Sequence, residues 1–220
     1  MDITYLGHSA FKLKGKDAVV VTDPFDKKLV GFAMPQSSAD IVTISHEHED
    51  HNAWKQVGGT ARRQEPYVIR APGEYEVNGV GVFGWRSFHD AQEGAERGVN
   101  TIYSIVMDGV RIVHLGDLGA VIEDDLIEGL GTVDVLLTPV GGRYSLGPKE
   151  AAIVMEKLSP SLVIPMHYKT PEHGSEFAEL FGVEDFLKAM GIVDLQPVDK
   201  LKVTGDSLPE QPQVVLLSRV

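Results

Sequence analysis

Apolar positions in this chain gather into short runs rather than helical stripes. Runs rich in Val, Ile and Tyr occupy residues 3–6, 18–22, 41–45, 80–88, 101–107, 111–115, 133–138, 162–165 and 214–217. Their length and composition predict strands. In the first half the connections carry turn chemistry, Lys14-Gly15-Lys16-Asp17, Asn78-Gly79 and Asp108-Gly109, which favours hairpins and antiparallel pairing. Later strands alternate with helical segments. The clearest helix starts at Pro148 after Gly147, carries Ala152, Val154, Met155 and Leu158, and stops at Ser159-Pro160. A second covers residues 183–190 and ends at Gly191, and a shorter one covers 122–130. Two sheets with covering helices would bury this many strands. Residues 1–220 read as a single domain without linker, low-complexity tract or internal repeat, and 208–213 as a loop before the last strand.

Composition narrows the function. At 43% hydrophobic and 24% charged, 220 residues suffice for a substantial core. The net charge of −12 opposes a polyanionic partner, so nucleic acid is disfavoured. A small anionic substrate stays compatible if bound divalent cations offset the charge locally. No apolar stretch approaches bilayer length and no basic-then-apolar segment opens the chain, which predicts a soluble, cytoplasmic protein with no membrane partner. A homo-oligomer is left open. With no cysteine, a metal ion must be held by His, Asp or Glu.

Such residues are concentrated at His46–His51, which read HEHEDH and follow the apolar run Ile41, Val42, Thr43, Ile44. Two histidines one residue apart in extended backbone project the same way and suit one ion. Asp50 and His51, past the bend, can face another. More ligands are needed than one loop supplies, and the other strand ends offer them: Asp23 after 18–22, His89 after 80–88, Asp117 in HLGD after 111–115, and His167 in PMHY after 162–165. Ligands at strand ends are held by the sheet and face a common edge.

The order Asp23, HxHxDH at 46–51, His89, Asp117, His167 resembles the five-motif signature of the metallo-β-lactamase superfamily. Within it, the chain is similar to metal-dependent hydrolases related to ascorbate-6-phosphate lactonase. The stretches carrying this are YLGHSAF at 5–11, TDPF at 22–25, APGEYEVNGV at 71–80, HLGDLG at 114–119, PVGGRYSLGPKEA at 139–151 and IPMHYKT at 164–170. The resemblance implies an α/β (α+β) fold, a four-layer αββα sandwich. It also implies two divalent ions, with His46, His48 and His89 on the first, Asp50, His51 and His167 on the second, and Asp117 bridging. Asp23 would orient the ligand loop by accepting a hydrogen bond, and Asp50 would also align the nucleophile. Zinc leads among the metals, with manganese, iron and nickel accepted by the same donors.

Other residues are assigned by position. His114, three residues before Asp117 in an apolar strand, reads as a buried histidine behind the ligands. His8 faces the metal edge as proton donor or substrate contact, or else bonds backbone in its turn. His173 reads as exposed in a polar loop, and Glu47 and Glu49 as solvated. Arg143 and Tyr144 in the GGRYS loop are the candidates for contacting the substrate, Arg143 through bidentate bonds to an anionic group. Arg97-Gly98-Val99-Asn100 also resembles the family and is assigned no role beyond shaping a loop. The expected chemistry is hydrolysis of a small ester, lactone or phosphodiester by hydroxide held between two ions, with Asp50, Asp117 and His8 as catalytic groups. The alternatives are an RNA-processing type nuclease, a β-lactamase, and a non-catalytic metal-binding module.

Overall fold

Alternate residues of the early strands face opposite ways: Val20 and Ile41 join one hydrophobic cluster, Val21 and Val42 another. Both faces of this sheet are therefore covered. The computed structural model describes residues 1–220. In spatial order the first sheet contains Leu201–Lys202, Asp2–Gly7, Ala10–Lys14, Val19–Thr22, Ile41–Thr43 and Tyr67–Ile69. The second contains Gln213–Val214, Leu162–Met166, Val135–Pro139, Val110–His114, Val99–Met107, Val80–Phe88 and Gly73–Val77. The larger cluster runs from Ile3 to Leu217, so the C-terminal segment belongs to the same core as the N-terminal strand.

The layers are αββα, with unequal outer layers. The second sheet is covered by helices Asp124–Leu130, Pro148–Leu158 and Val183–Ala189, whose Leu130, Val154 and Phe186 join the larger cluster. The first sheet has only the four-residue helix Lys27–Val30, supplemented by Phe25, Phe32 and the single turn Ser175–Phe177.

Val80–Phe88 and Pro148–Leu158 have the predicted bounds. The turns Asn78-Gly79 and Asp108-Gly109 have φ of 52° and 74° in both cases, the left-handed pair that a two-residue hairpin of twisted strands requires. Antiparallel pairing does not extend through the first half. Val19–Thr22, Ile41–Thr43 and Tyr67–Ile69 pair in parallel, because residues 23–40 and 44–66 are crossovers rather than turns. The strands Tyr67–Ile69 and Gly73–Val77, absent from the predicted runs, are sheet edges: the first is apolar but only three residues long, with Ile69 buried, and the second, GEYEV, is largely exposed and reads as polar.

The strand directions decide where the chemistry collects. Asp2–Gly7 and Val19–Thr22 are both antiparallel to Ala10–Lys14, so they run the same way, as does Ile41–Thr43. In the second sheet Val80–Phe88, Val110–His114 and Leu162–Met166 likewise share one direction. The carboxyl ends of these strands meet at one edge of the sandwich. There Thr101 N–H donates to Ser45 O at 2.8 Å and His167 N–H to His8 O at 2.8 Å, linking the two sheets. Tyr103, fully buried, donates from Oη to the Ile44 carbonyl at 3.1 Å across the same gap.

Candidate metal centre

His8, Asp23, His89 and His167 each stand immediately past the end of a strand reaching this edge, Asp117 stands three residues past Val110–His114, and the 46–51 loop follows Ile41–Thr43. Three of them bend the chain sharply, with positive φ at His8 (54°), Asp23 (36°) and His167 (50°). Non-glycine residues occupy this left-handed region at a cost and hold it where the surroundings fix them. Here the sheets above and the side-chain bonds below do so.

The structure gathers the donors into two groups. Ligand atoms of His46, His48 and His89 lie within 4.8 Å of one another, as do those of His8, Asp50, His51 and His167, and a third set, Asp23 with His46 and His51, shares a ring with each group. Asp117 lies between the groups. Its Oδ2 is 3.3 Å from His89 Nε2, 3.3 Å from His51 Nε2 and 3.2 Å from His167 Nε2. Most of these side chains are buried, and His48 is exposed at the mouth.

Bonds behind the donors fix which nitrogens face inward. Asp23 accepts from Ser45 N at 2.8 Å, from Ser45 Oγ at 2.5 Å and from His51 Nδ1 at 3.0 Å. Since the Ser45 hydroxyl donates to Asp23, its oxygen accepts from His46 Nδ1 at 2.9 Å. Both imidazoles therefore hold a proton on Nδ1 and aim Nε2 into the site, where neither Nε2 has a hydrogen-bond partner. Asn100 accepts from Asp117 N at 3.0 Å while donating to Ser87 Oγ and the Leu115 carbonyl, which fixes the backbone carrying Asp117.

A second chain of bonds holds Asp50. Thr170 N–H donates to His173 Nδ1 at 3.0 Å, so His173 presents Nε2–H to His8 Nδ1 at 3.3 Å, and His8 Nε2–H donates to Asp50 Oδ2 at 3.1 Å. His173 is thus half-buried against His8 rather than exposed, because residues 171–174 fold back under Phe32 and Phe177. Burial, aided by the facing His167, pushes His8 down to about 3 and His173 down to about 4. His114 is buried but has its two nitrogens on backbone, Nε2 on Ser9 O at 2.9 Å and Nδ1 on Gly116 N at 3.1 Å.

The edge opens into a cavity of about 230 Å³ lined by residues that include His48, Asp50, His89, Asp117, Tyr144 and Phe177. Leu29 lines it and also a wider groove of about 740 Å³ beside Trp54 and Arg70. Tyr144 is in the cavity wall, but Arg143 is not: its Nε bonds Glu179 Oε2 at 2.5 Å, and its guanidinium lies 5.6 Å from the Tyr144 ring centre. The arginine that lines the cavity is Arg97.

A family model described as the beta-lactamase superfamily domain matches residues 2–167, which contain every one of these strand-end residues. The chain belongs to the metallo-β-lactamase superfamily. Among its relatives are a UPF0173 metal-dependent hydrolase of Korarchaeum cryptofilum, 35% identical over 76% of this chain and 83% of the relative, and one of Pyrococcus furiosus, 30% identical over 91% and 99%. A Thermotoga maritima structure assigned as a Zn-dependent hydrolase of the metallo-β-lactamase superfamily aligns with a TM-score of 0.78 and 37% identity, covering 98% of this chain and 97% of that one. These similarities put the chain among the metal-dependent hydrolases of the superfamily.

The donor set of this metallo-β-lactamase-type edge fits divalent ions. Two donors about 2.1 Å from one tetrahedral ion stand about 3.4 Å apart, close to the 3.2–3.3 Å between Asp117 Oδ2 and its three imidazoles. Asp117 Oδ1 and the Nε2 atoms of His46, His51 and His167 are buried without hydrogen-bond partners, a costly state for polar atoms unless an ion takes them. Charge agrees. Burial works to raise Asp23, Asp50 and Asp117, but the surrounding imidazoles hold all three carboxyls below their usual range. Burial lowers His46 and His48. Against burial, Asp117 and Asp50 raise His51, whose proton stands where a cation would serve. Sequence reasoning missed Ser45, Asn100, His173 and Arg97 as parts of this edge. Only Arg97 and Asn100 left a trace, in the family-like segment 97–100.

Proposed function

We propose that the protein hydrolyses a small ester, lactone or phosphodiester with two divalent ions, zinc foremost. The observation that carries this reading is Asp117 Oδ2, 3.2–3.3 Å from imidazoles of both donor groups. His46, His48 and His89 would hold one ion, Asp50, His51 and His167 the other, with Asp117 shared. Ions bound there supply a nucleophile from water near neutral pH and stabilise charge developing at a carbonyl or phosphoryl centre. Zinc is favoured by a nitrogen and carboxylate donor set and by the Thermotoga relative's assignment.

The chain's own residues supply orientation. Asp23 holds His51 directly and His46 through Ser45, and this keeps both rings in one tautomer. His8, backed by His173, holds one oxygen of Asp50 and leaves the other free to align a nucleophile. Leu29 and Phe177 narrow the cavity, limiting water around a bound substrate. At about 230 Å³ it takes a small reacting group, which favours lactones and short esters over a folded RNA.

The test is metal analysis of protein purified without added ions, followed by a screen of lactones, phosphodiesters and β-lactams. His48→Ala and Asp117→Ala are expected to lose bound metal and turnover together, by at least about 100-fold in kcat/KM. Full turnover by either variant in its metal-free form would reject the mechanism.

A further inference from the structure

Past His89, Asp90 turns its carboxylate into the loop that follows. Asp90 Oδ1 accepts from Gln92 N and Gly94 N, both at 2.8 Å, and Oδ2 from Glu96 N at 3.1 Å and Arg97 N at 2.7 Å. Four backbone donors on one buried carboxylate fix residues 90–97 as a rigid turn. Gly98 N–H closes it onto Gly94 O at 2.9 Å, and His89 N–H onto Gly98 O at 3.1 Å. The turn is therefore locked to a residue of the metal edge at one end and delivers Arg97 at the other.

Arg97 is half-buried with its guanidinium 4.5 Å from the centre of the Tyr144 ring. That ring is itself tied down by Tyr144 Oη donating to Glu176 O at 3.0 Å. The arginines paired with carboxylates are Arg62, Arg70, Arg143 and Arg219; Arg97 is not one of them. No other Lys or Arg lines the cavity, and the side chain of Glu176 shares its rim without an ion-pair partner. A guanidinium stacked on an aromatic ring loses little freedom when it engages a ligand, and its fork of donors matches a planar oxyanion.

We propose that Arg97, positioned by Asp90 and stacked on Tyr144, is the anion-binding residue of this cavity, so that the substrate is a small lactone or ester bearing a carboxylate or phosphate. This rests on the hydrolase reading for the reaction it serves. It transfers the recognition expected of Arg143 to a residue 46 positions earlier in the chain.

The experiment uses the metal-loaded full chain and a lactone carrying a carboxylate, paired with its carboxamide counterpart. Arg97→Ala is expected to reduce kcat/KM for the carboxylate lactone about 10- to 100-fold more than for the carboxamide, with Arg97→Lys between the two. Asp90→Asn is expected to act in the same direction through KM more than kcat. A binding arm keeps the two readings apart: calorimetry compares a carboxyalkylphosphonate with the alkylphosphonate of equal length. Tighter binding of the carboxyalkyl compound, abolished by Arg97→Ala, supports the anion site even if neither lactone turns over, an outcome that would sink only the hydrolase reading. Equal losses on both lactones, or no carboxylate preference in either assay, would overturn the assignment. So would a discrimination that follows Glu176→Gln rather than Arg97→Ala.

Discussion

Asp23 is the residue on which most of the metal edge turns, although it reaches neither donor group's interior. Its two oxygens accept from Ser45 N, Ser45 Oγ and His51 Nδ1, and each bond settles a different variable: the path of the loop, the tautomer of His46 and the tautomer of His51. Replacing Asp23 with Asn turns an acceptor into a donor opposite His51 Nδ1–H. The expected result is metal affinity weaker by about 10- to 100-fold, read from zinc titration against a competing chelator. Affinity equal to the wild type would show that the Nε2 atoms keep their aim without Asp23. At this same scale the sequence was legible wherever a side chain follows a strand directly, as His89 and His167 do. His173 was not, because its burial depends on packing against Phe32 and Phe177 from distant parts of the chain.

Strand ends hold these residues only if the turns beyond them are tight. Gly116, between Leu115 and Asp117, has φ of 58°, and a Cβ there would stand 2.3 Å from Asn100 Oδ1 and 2.5 Å from Ser45 Cβ. The Asn100 oxygen is the acceptor for Asp117 N–H, so displacing it frees the Asp117 backbone. Gly116→Ala is expected to cost at least about 2 kcal/mol, from the left-handed backbone and the clash together, and to weaken metal binding as well. Urea unfolding with and without zinc measures both, and a variant as stable as the wild type would contradict the close packing. Elements defined by local pattern, such as Pro148–Leu158 with proline at its start, were readable from the sequence. The edge strands Tyr67–Ile69 and Gly73–Val77 were not, since the first is only three residues long and the second is polar and mostly exposed.

For the whole molecule, the metal edge concentrates ionisable groups that the fold must accommodate when no ion is bound. His8, His46, His48, His114 and His173 are all lowered, burial being the largest cause in each. An unfolded chain takes up protons on these rings near 6.5, whereas folded His173 does so only at about 4 and His8 at about 3. The unfolded state therefore binds more protons, and stability falls as the pH drops through this window. Asp23, Asp50 and Asp117, depressed in the fold, give a stabilisation present above the ordinary carboxylate range and lost below it. His51, raised, acts the other way: it favours the fold below about 6.5 and loses that contribution as the pH rises through its own higher value. Below about 6.5 the His51 contribution is constant, so the lowered rings set the slope there. The urea midpoint of the ion-free protein is expected to fall between about pH 7 and pH 4, and a flat or rising midpoint would contradict it. No helix is long and apolar enough to cross a membrane.

By itself the sequence determined the order of the donors, the strands that carry them and the superfamily, because each rests on residues adjacent in the chain: a run of Val and Ile, then His or Asp at its end. It could not determine which direction each strand takes in the sheet, and so could not show that six strand ends share one edge with Asp117 between two donor groups. Nor could it tell Arg143 from Arg97. Both are arginines beside glycine in polar loops, and only the packed structure gives one a carboxylate partner outside the cavity and leaves the other stacked on Tyr144 within it. Side-chain pairing across distant segments is settled by the three-dimensional neighbours of a charge, which no local pattern encodes.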